Sequence, residues 1–231
     1  SQSSRLLQIA SSLALFHDEN MKPHVFLNGE SKLLRSSGVK HYLSYEMYKA
    51  DGMAPNSESL NQAINTLEGK AIFASPMKKL FNRIAKKDNA FWYDLGNSKS
   101  VKLTSKCWDI VDSPILFKRY SHQQVQVTPQ AGGDPWGIFG FLNVENDHKL
   151  LIMVVIISYF IPEIPKPIFH PHGSQGAGKT TICNMIKKIC DPSSIQNLFA
   201  PKSQDELVQV LAHHHVCLFD NMSYMPPWMS D

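Results

Sequence analysis

The sequence predicts an α/β domain built on a parallel sheet, preceded by a small α+β module, and three observations carry that expectation. Residues 173–180 read Gly-Ser-Gln-Gly-Ala-Gly-Lys-Thr, a glycine turn set between a short apolar run, Pro167-Ile168-Phe169-His170, and a helix-periodic stretch to Cys190. Val216-Cys217-Leu218-Phe219 is a second apolar run and ends in Asp220, forty-one positions after Lys179. Upstream of residue 126, amphipathic helices and short β-type runs alternate without this strand–turn–helix pattern. The predicted organisation is an α+β module over 1–125, a linker over 126–135 marked by Pro129, Gly132, Gly133 and Pro135, and an α/β core over 136–231.

The elements follow in order. Residues 3–16 read as a first helix on the spacing of Leu6, Leu7, Ile9, Ala10, Leu13 and Leu15. Val25–Leu27 is a strand closed by Asn28-Gly29, a hairpin turn signal. Residues 39–48 form a second helix. Ser57 caps a third, with Leu60, Ala63, Ile64, Leu67 and Ala71 on one face. Three β segments follow, at 79–85, 91–95 and 101–103 with its continuation to 108–111, separated by Lys86-Lys87-Asp88-Asn89 and Gly96-Asn97-Ser98. Helices followed by an antiparallel meander admit a winged-helix-like arrangement for this module. Residues 147–161 form an apolar helix, ended by Pro162, Pro165 and Pro167, which hand over to the strand before the glycine turn. Residues 195–200 are a further strand, and Ser203-Gln204-Asp205-Glu206 is a capping box for a helix to Leu211.

The 43% hydrophobic and 19% charged content is that of a globular protein. The longest apolar run, residues 150–161, is too short to span a bilayer, so no membrane role is expected. Cys107, Cys183, Cys190 and Cys217 show no metal-type spacing, which predicts reduced thiols and a reducing, cytoplasmic setting. The net charge of +3 conceals one basic segment: residues 78–106 hold eight Lys or Arg against two Asp. The chain starts without methionine and stops shortly after Asp220, so it reads as a piece of a longer polypeptide, hydrolysing nucleotide weakly or not at all by itself.

Gly173, Ser174, Gln175, Gly176, Ala177, Gly178, Lys179, Thr180 and Thr181 compose a P-loop, the signature of an α/β P-loop NTPase. Glycine backbone N–H groups converge on phosphate oxygens, and the following helix adds the positive end of its dipole. Lys179 is placed to reach the β/γ-phosphates, and the Thr180 hydroxyl to hold Mg2+. Hydrolysis needs a second carboxylate; Asp220, at the end of an apolar strand, is the candidate second Mg2+ residue. Asn221 follows where many such enzymes place a carboxylate. An amide orients water but accepts no proton, so Lys179, Asp220 and Asn221 form a catalytic set without an assigned base.

Lys78, Lys79, Arg83, Lys86, Lys87 and Lys102 are candidate nucleic-acid contacts, with Phe91, Trp92 and Tyr93 available for base stacking; a lysine-protected sheet edge is the competing reading. His213-His214-His215 reads as a helix-end cluster rather than a metal site, because three consecutive side chains diverge on a regular element.

His172 to Thr181 with Cys190-Asp191-Pro192, and Phe219-Asp220-Asn221-Met222-Ser223 with Pro226-Pro227-Trp228-Met229, resemble the ATPase module of mobile-element replication proteins of the primase–helicase type. Residues 71–73, 91–96, 108–111 and 115–119 resemble, more loosely, the region such proteins carry before the ATPase. The resemblance implies a RecA/AAA+-like sheet of superfamily 3 type, incomplete at its C-terminal side, with ATP and Mg2+ as cofactors. It also implies single-stranded DNA as partner, self-association into a ring in the full-length protein, and an Asp-Asn pair at 220–221. Sensor and arginine-finger groups would lie beyond Asp231. A nucleotide-gated DNA-binding or regulatory module that binds ATP without unwinding is the alternative.

Overall fold

The computed structural model describes residues 1–220, 222 and 224–230. It divides into two compact units, residues 1–81 with 114–119, and residues 82–113 with 120–231.

In the first unit, α1 (Gln2–Ile9) is capped by the Ser1 side chain and runs into a single 3-10 turn. The expected helix to Phe16 stops there, because Ala14–His17 is a strand, β1. It pairs antiparallel with β2 (Pro23–Leu27), and β2 pairs with β3 (Glu30–Leu33), giving a three-stranded sheet in the order β1-β2-β3. Asn28 and Gly29 both have positive φ, 52° and 80°, the two-residue turn that fixes the register Leu27 to Glu30. Two helices complete the unit: α2 (Ser37–Asp51), ended by left-handed Gly52, and α3 (Ser57–Phe73), whose N-cap is Asn56 rather than Ser57. Of the expected stripe, Ala63, Ile64, Leu67 and Ala71 are buried against Leu6, Val25, Val39 and Leu43, and Leu60 is half-buried beside them.

The second unit opens on a four-stranded antiparallel meander, β4 (Ile84–Lys87), β5 (Ala90–Asp94), β6 (Lys99–Leu103) and β7 (Trp108–Asp112), in sequential order. The β4–β5 turn is Asp88-Asn89, again with both residues at positive φ. Gly96 turns β5 toward β6 at φ 85°, and a Cβ there would lie 3.2 Å from Val125 Cα and 3.3 Å from Gln124 O. Those atoms belong to a strap tied to the sheet by the Gln126 N–H to Leu95 O bond of 2.8 Å. Gly96→Ala is therefore expected to lower unfolding free energy by about 1–3 kcal/mol, the cost of a left-handed non-glycine residue and of a backbone clash that cannot rotate away. Urea denaturation of the variant measures it.

Four helices follow: α4 (Asn146–Ser158), α5 (Lys179–Cys190), α6 (Gln204–His213) and the short α7 (Pro227–Ser230). The Lys166 ammonium donates to the Ser158 and Ile161 carbonyls, closing the end of α4. No strand is assigned at 167–170, where Pro165 and Pro167 remove two ladder donors; Phe169 instead packs on the α4–α5 core with Ile152, Ile156, Ile182 and Ile186. The segments 195–200 and 216–220 meet in one isolated parallel bridge, Leu198 to Phe219, with the Leu198 N–H bonding Leu218 O at 2.8 Å. No helix among the described residues is long and apolar enough to cross a membrane.

Candidate nucleotide-binding site

The glycine turn has the backbone its sequence demands. Gly173, Gly176 and Gly178 sit at φ 148°, 80° and 84°, and Gly178 is the N-cap from which α5 starts. A residue with a Cβ would be strained at all three, which is why the turn is written in glycine. Lys179, the first residue of α5, folds back so that its ammonium donates to Gly173 O at 2.9 Å and Ser174 O at 2.7 Å. Thr180 lies in the same first helical turn, with Thr181 beside it.

Asp220 acts electrostatically on Cys183, which lies three residues after Thr180 on α5. The Cys183 thiol is pushed up to about 11 by burial and by the Asp220 carboxylate. Asp220 is placed by the Leu198–Phe219 bridge, through its own N–H to Leu198 O at 3.4 Å. Thr180 and Asp220 are oxygen donors of the kind a hard divalent cation takes, and two protein ligands suit a Mg2+ that shares phosphate and water. Asn221, the third member of the expected catalytic set, lies outside the described residues.

A buried charge cluster holds this arrangement at the far end of α5. Arg83 and Asp191 have side chains 1% and 2% exposed, with Arg83 Nε donating to Asp191 Oδ1 at 3.2 Å. The Lys187 ammonium, 2% exposed, lies 3.4 Å from Asp191 Oδ2 and donates to Val216 O at 2.6 Å. Asp191 Oδ2 also accepts the backbone N–H groups of His215 and Val216, at 3.0 and 3.1 Å. The segment leading to Asp220 is thus pinned to the C-terminus of α5 by one carboxylate. Burial pushes the Asp191 carboxyl up, but Lys187, Arg83 and the Val216 N–H outweigh it and leave it below the usual carboxylate range. Burial lowers the Lys187 ammonium, against the opposing pull of Asp191.

The meander completes the capping of α5. Tyr93 Oη donates to Cys190 O at 3.2 Å, and the Gln126 amide donates to Ile189 O at 2.7 Å and to Tyr93 Oη at 2.9 Å. Orphan carbonyls at a helix end need such donors when they are buried. Sequence reasoning did not anticipate the cluster. Its one signal was Lys187, four positions after Cys183 and four before Asp191, a lysine on an apolar helix face with an acid one turn away.

The basic segment looks different in three dimensions. Arg83 is spent internally, on Asp191, Asp94 O, Gln124 O and Pro192 O, so its guanidinium cannot reach a nucleic acid. Trp92 and Tyr93 are 5% and 6% exposed and cannot stack on bases; Trp92 Nε1 donates to Lys87 O and Lys102 sits over the Trp92 ring at 5.5 Å. Lys86 and Lys87 lie on the edge strand β4, and Lys86 pairs with Glu163 at 2.9 Å. Lys78 and Lys79 belong to the first unit, over the rings of Phe16 and Phe81.

The three histidines end α6. His213 packs on Tyr120, His214 stacks on His122 with ring centroids 4.0 Å apart, and His215 Nε2 lies 2.8 Å from Tyr159 O. Burial, with His122 and Lys187 nearby, pushes His214 down to about 4. An unfolded imidazole titrates near 6.5, so between about 4 and 6.5 the folded chain binds fewer protons than the unfolded one. His214 therefore contributes stability that is complete above about pH 6.5 and is lost as pH falls toward 4. Thermal melts across that range are expected to show Tm falling with acid, and the slope shallower in His214→Gln.

Comparison with known proteins adds one finding. No curated protein and no solved structure matches this chain. Residues 137–231, the part that holds the glycine turn, α5 and the segment ending in Asp220, match the model of the actinomycete integrative conjugative element replication protein family, so this part of the chain is similar to a mobile-element replication protein.

Proposed function

We propose that residues 136–231 are the ATP-binding and ATP-hydrolysing core of a P-loop motor that serves replication of a mobile element, of primase–helicase type. The observation that carries this reading is a complete phosphate-loop sequence with glycine backbone to match, together with an Asp220 near enough to α5 to act on Cys183. The family match supports the replication setting.

In this reading the loop N–H groups and the α5 N-terminus hold the nucleotide phosphates. Lys179 exchanges the Gly173 and Ser174 carbonyls for β/γ-phosphate oxygens, a replacement that costs no new ordering because the side chain already lies over the loop. Thr180 and Asp220 would hold Mg2+, which supplies charge neutralisation at the phosphates when bound. Asn221 orients the attacking water without taking its proton. The Leu198–Phe219 bridge supports a parallel α/β arrangement, since it sets the Asp220 segment beside its neighbour in the sense such sheets require. Single-stranded DNA is the proposed partner and a ring the proposed assembly.

Steady-state ATP turnover of the protein with and without single-stranded DNA tests the motor. DNA-stimulated turnover supports it. Tight ATP binding with no turnover in either condition rejects it in favour of a nucleotide-gated binding module.

A further inference from the structure

Beside the glycine turn lies an open pocket of about 180 Å3, lined by Phe141, Leu142 and Asn143 together with turn residues 176–178 and Thr181. It is smaller than the roughly 300–1,000 Å3 of pockets that engulf drug-sized ligands, and suits one planar ring system better than a whole nucleotide. We propose that it is the nucleobase subsite and that it takes adenine, with Phe141 stacking on the ring and Asn143 reading its edge. The proposal rests on the phosphate-loop reading above and adds the groups that choose the base.

Phe141 is 78% exposed, a large aromatic surface left open beside a phosphate-type loop. Its position is nonetheless fixed. Asp134 caps the 3-10 turn at Pro135–Gly140 by accepting the Trp136 N–H at 2.9 Å, Phe139 anchors that turn in the core at 8% exposure, and the Phe141 N–H bonds Ile138 O at 3.1 Å. A ring presented on a braced turn gives stacking area at little ordering cost. Two residues on, the Asn143 amide has no protein partner among the described residues, so its donor and acceptor are both available. On its N7 edge adenine pairs with an amide in bidentate fashion, through the 6-amino group and N7, whereas the N7/O6 edge of guanine offers acceptors only. An amide that reads the N7 edge therefore favours adenine. Gly176 and Gly178 line the same pocket, so a base held there would lie next to the turn from which Lys179 and Thr180 begin α5.

Equilibrium binding of Mg2+ with ATP, GTP and inorganic tripolyphosphate, to wild type, Phe141→Ala and Asn143→Ala, tests the subsite. Both side chains are exposed, so the variants are expected to fold, and tripolyphosphate reports the phosphate loop independently of any base. Phe141→Ala is expected to weaken ATP roughly tenfold, in keeping with the loss of one base–aromatic stack, and to leave tripolyphosphate unchanged. Asn143→Ala is expected to bring an ATP preference of about tenfold over GTP to near unity. ATP affinity unchanged in both variants, or ATP and tripolyphosphate weakened alike by Phe141→Ala, overturns the base subsite alone. Wild type that binds neither ATP nor tripolyphosphate overturns the phosphate-loop reading, and the subsite with it.

Discussion

Replacing Asp191 by alanine is expected to destabilise the protein by about 3–5 kcal/mol, the range seen when one partner of a buried ion pair is removed. Two cations, the Arg83 guanidinium and the Lys187 ammonium, lose their counter-ion at once and keep only carbonyl acceptors, and the backbone N–H groups of His215 and Val216 lose their acceptor. None can turn to water, since Arg83 and Lys187 are 1% and 2% exposed at their side chains. The size of the effect distinguishes this cluster from the surface pairs of the same chain. Lys86–Glu163 is comparably short at 2.9 Å, yet both side chains are about half exposed or more, and such a pair contributes about 0–1 kcal/mol. Chemical denaturation of Asp191→Ala measures the difference, and a loss under about 1 kcal/mol would mean that water reaches the cluster. Asp191→Asn keeps one acceptor oxygen, able to take both N–H groups, but removes the charge, so it is expected to fall between wild type and alanine. The position stabilised bears on the proposed site, because the His215–Val216 backbone leads directly into the segment ending at Asp220.

How far residues revealed this depended on the range of the interaction. The helices at 57–73 and 179–190 were legible because their apolar positions repeat at helical spacing, whereas ends were read less well: Asn56, not Ser57, caps the first of them, and the helix expected over 39–48 runs from 37 to 51. The Asn28-Gly29 turn was equally plain, although the strand it demands, Glu-Ser-Lys-Leu at 30–33, is too polar to announce itself; Ser31 is buried there through its hydroxyl bond to Phe117 O. Residues 13–16 misled, since Leu13 and Leu15 extend the helical pattern of Leu6, Leu7 and Ile9. Over four residues the two periods cannot be told apart, and pairing with β2 decides the matter. At the candidate site the loop was legible in full, because its constraints on φ and charge are local. The Arg83–Asp191 contact spans 108 positions and left no local mark; Arg83 reads as one more basic residue in a basic segment until the fold buries it.

Removing the Lys179 ammonium is expected to cut ATP turnover by at least about 100-fold, and removing the Asp220 carboxylate by about 10²–10³-fold, yet the two losses should differ in kind. Lys179 sits over the loop itself, bonded to Gly173 O and Ser174 O, so in the proposed ATPase it would meet the phosphates in the ground state as well as during reaction. Lys179→Ala should therefore weaken binding of ATP and of tripolyphosphate together with turnover. In the proposed site Asp220 would act from the segment near Cys183, one turn along α5 from Thr180, where a carboxylate matters only with the cation in place. Asp220→Ala should leave tripolyphosphate binding without Mg2+ unchanged while removing the gain that Mg2+ brings. The Cys183 thiol offers a second readout that catalysis does not touch. Its pKa, pushed up to about 11 by burial and by Asp220, should fall in Asp220→Ala, so a thiol reagent should label Cys183 faster at a given alkaline pH. Turnover lost with no change at Cys183 would place Asp220 away from α5, and its role beside Thr180 would fall. A lower Cys183 pKa with turnover intact would keep the geometry and reject the carboxylate as a Mg2+ residue.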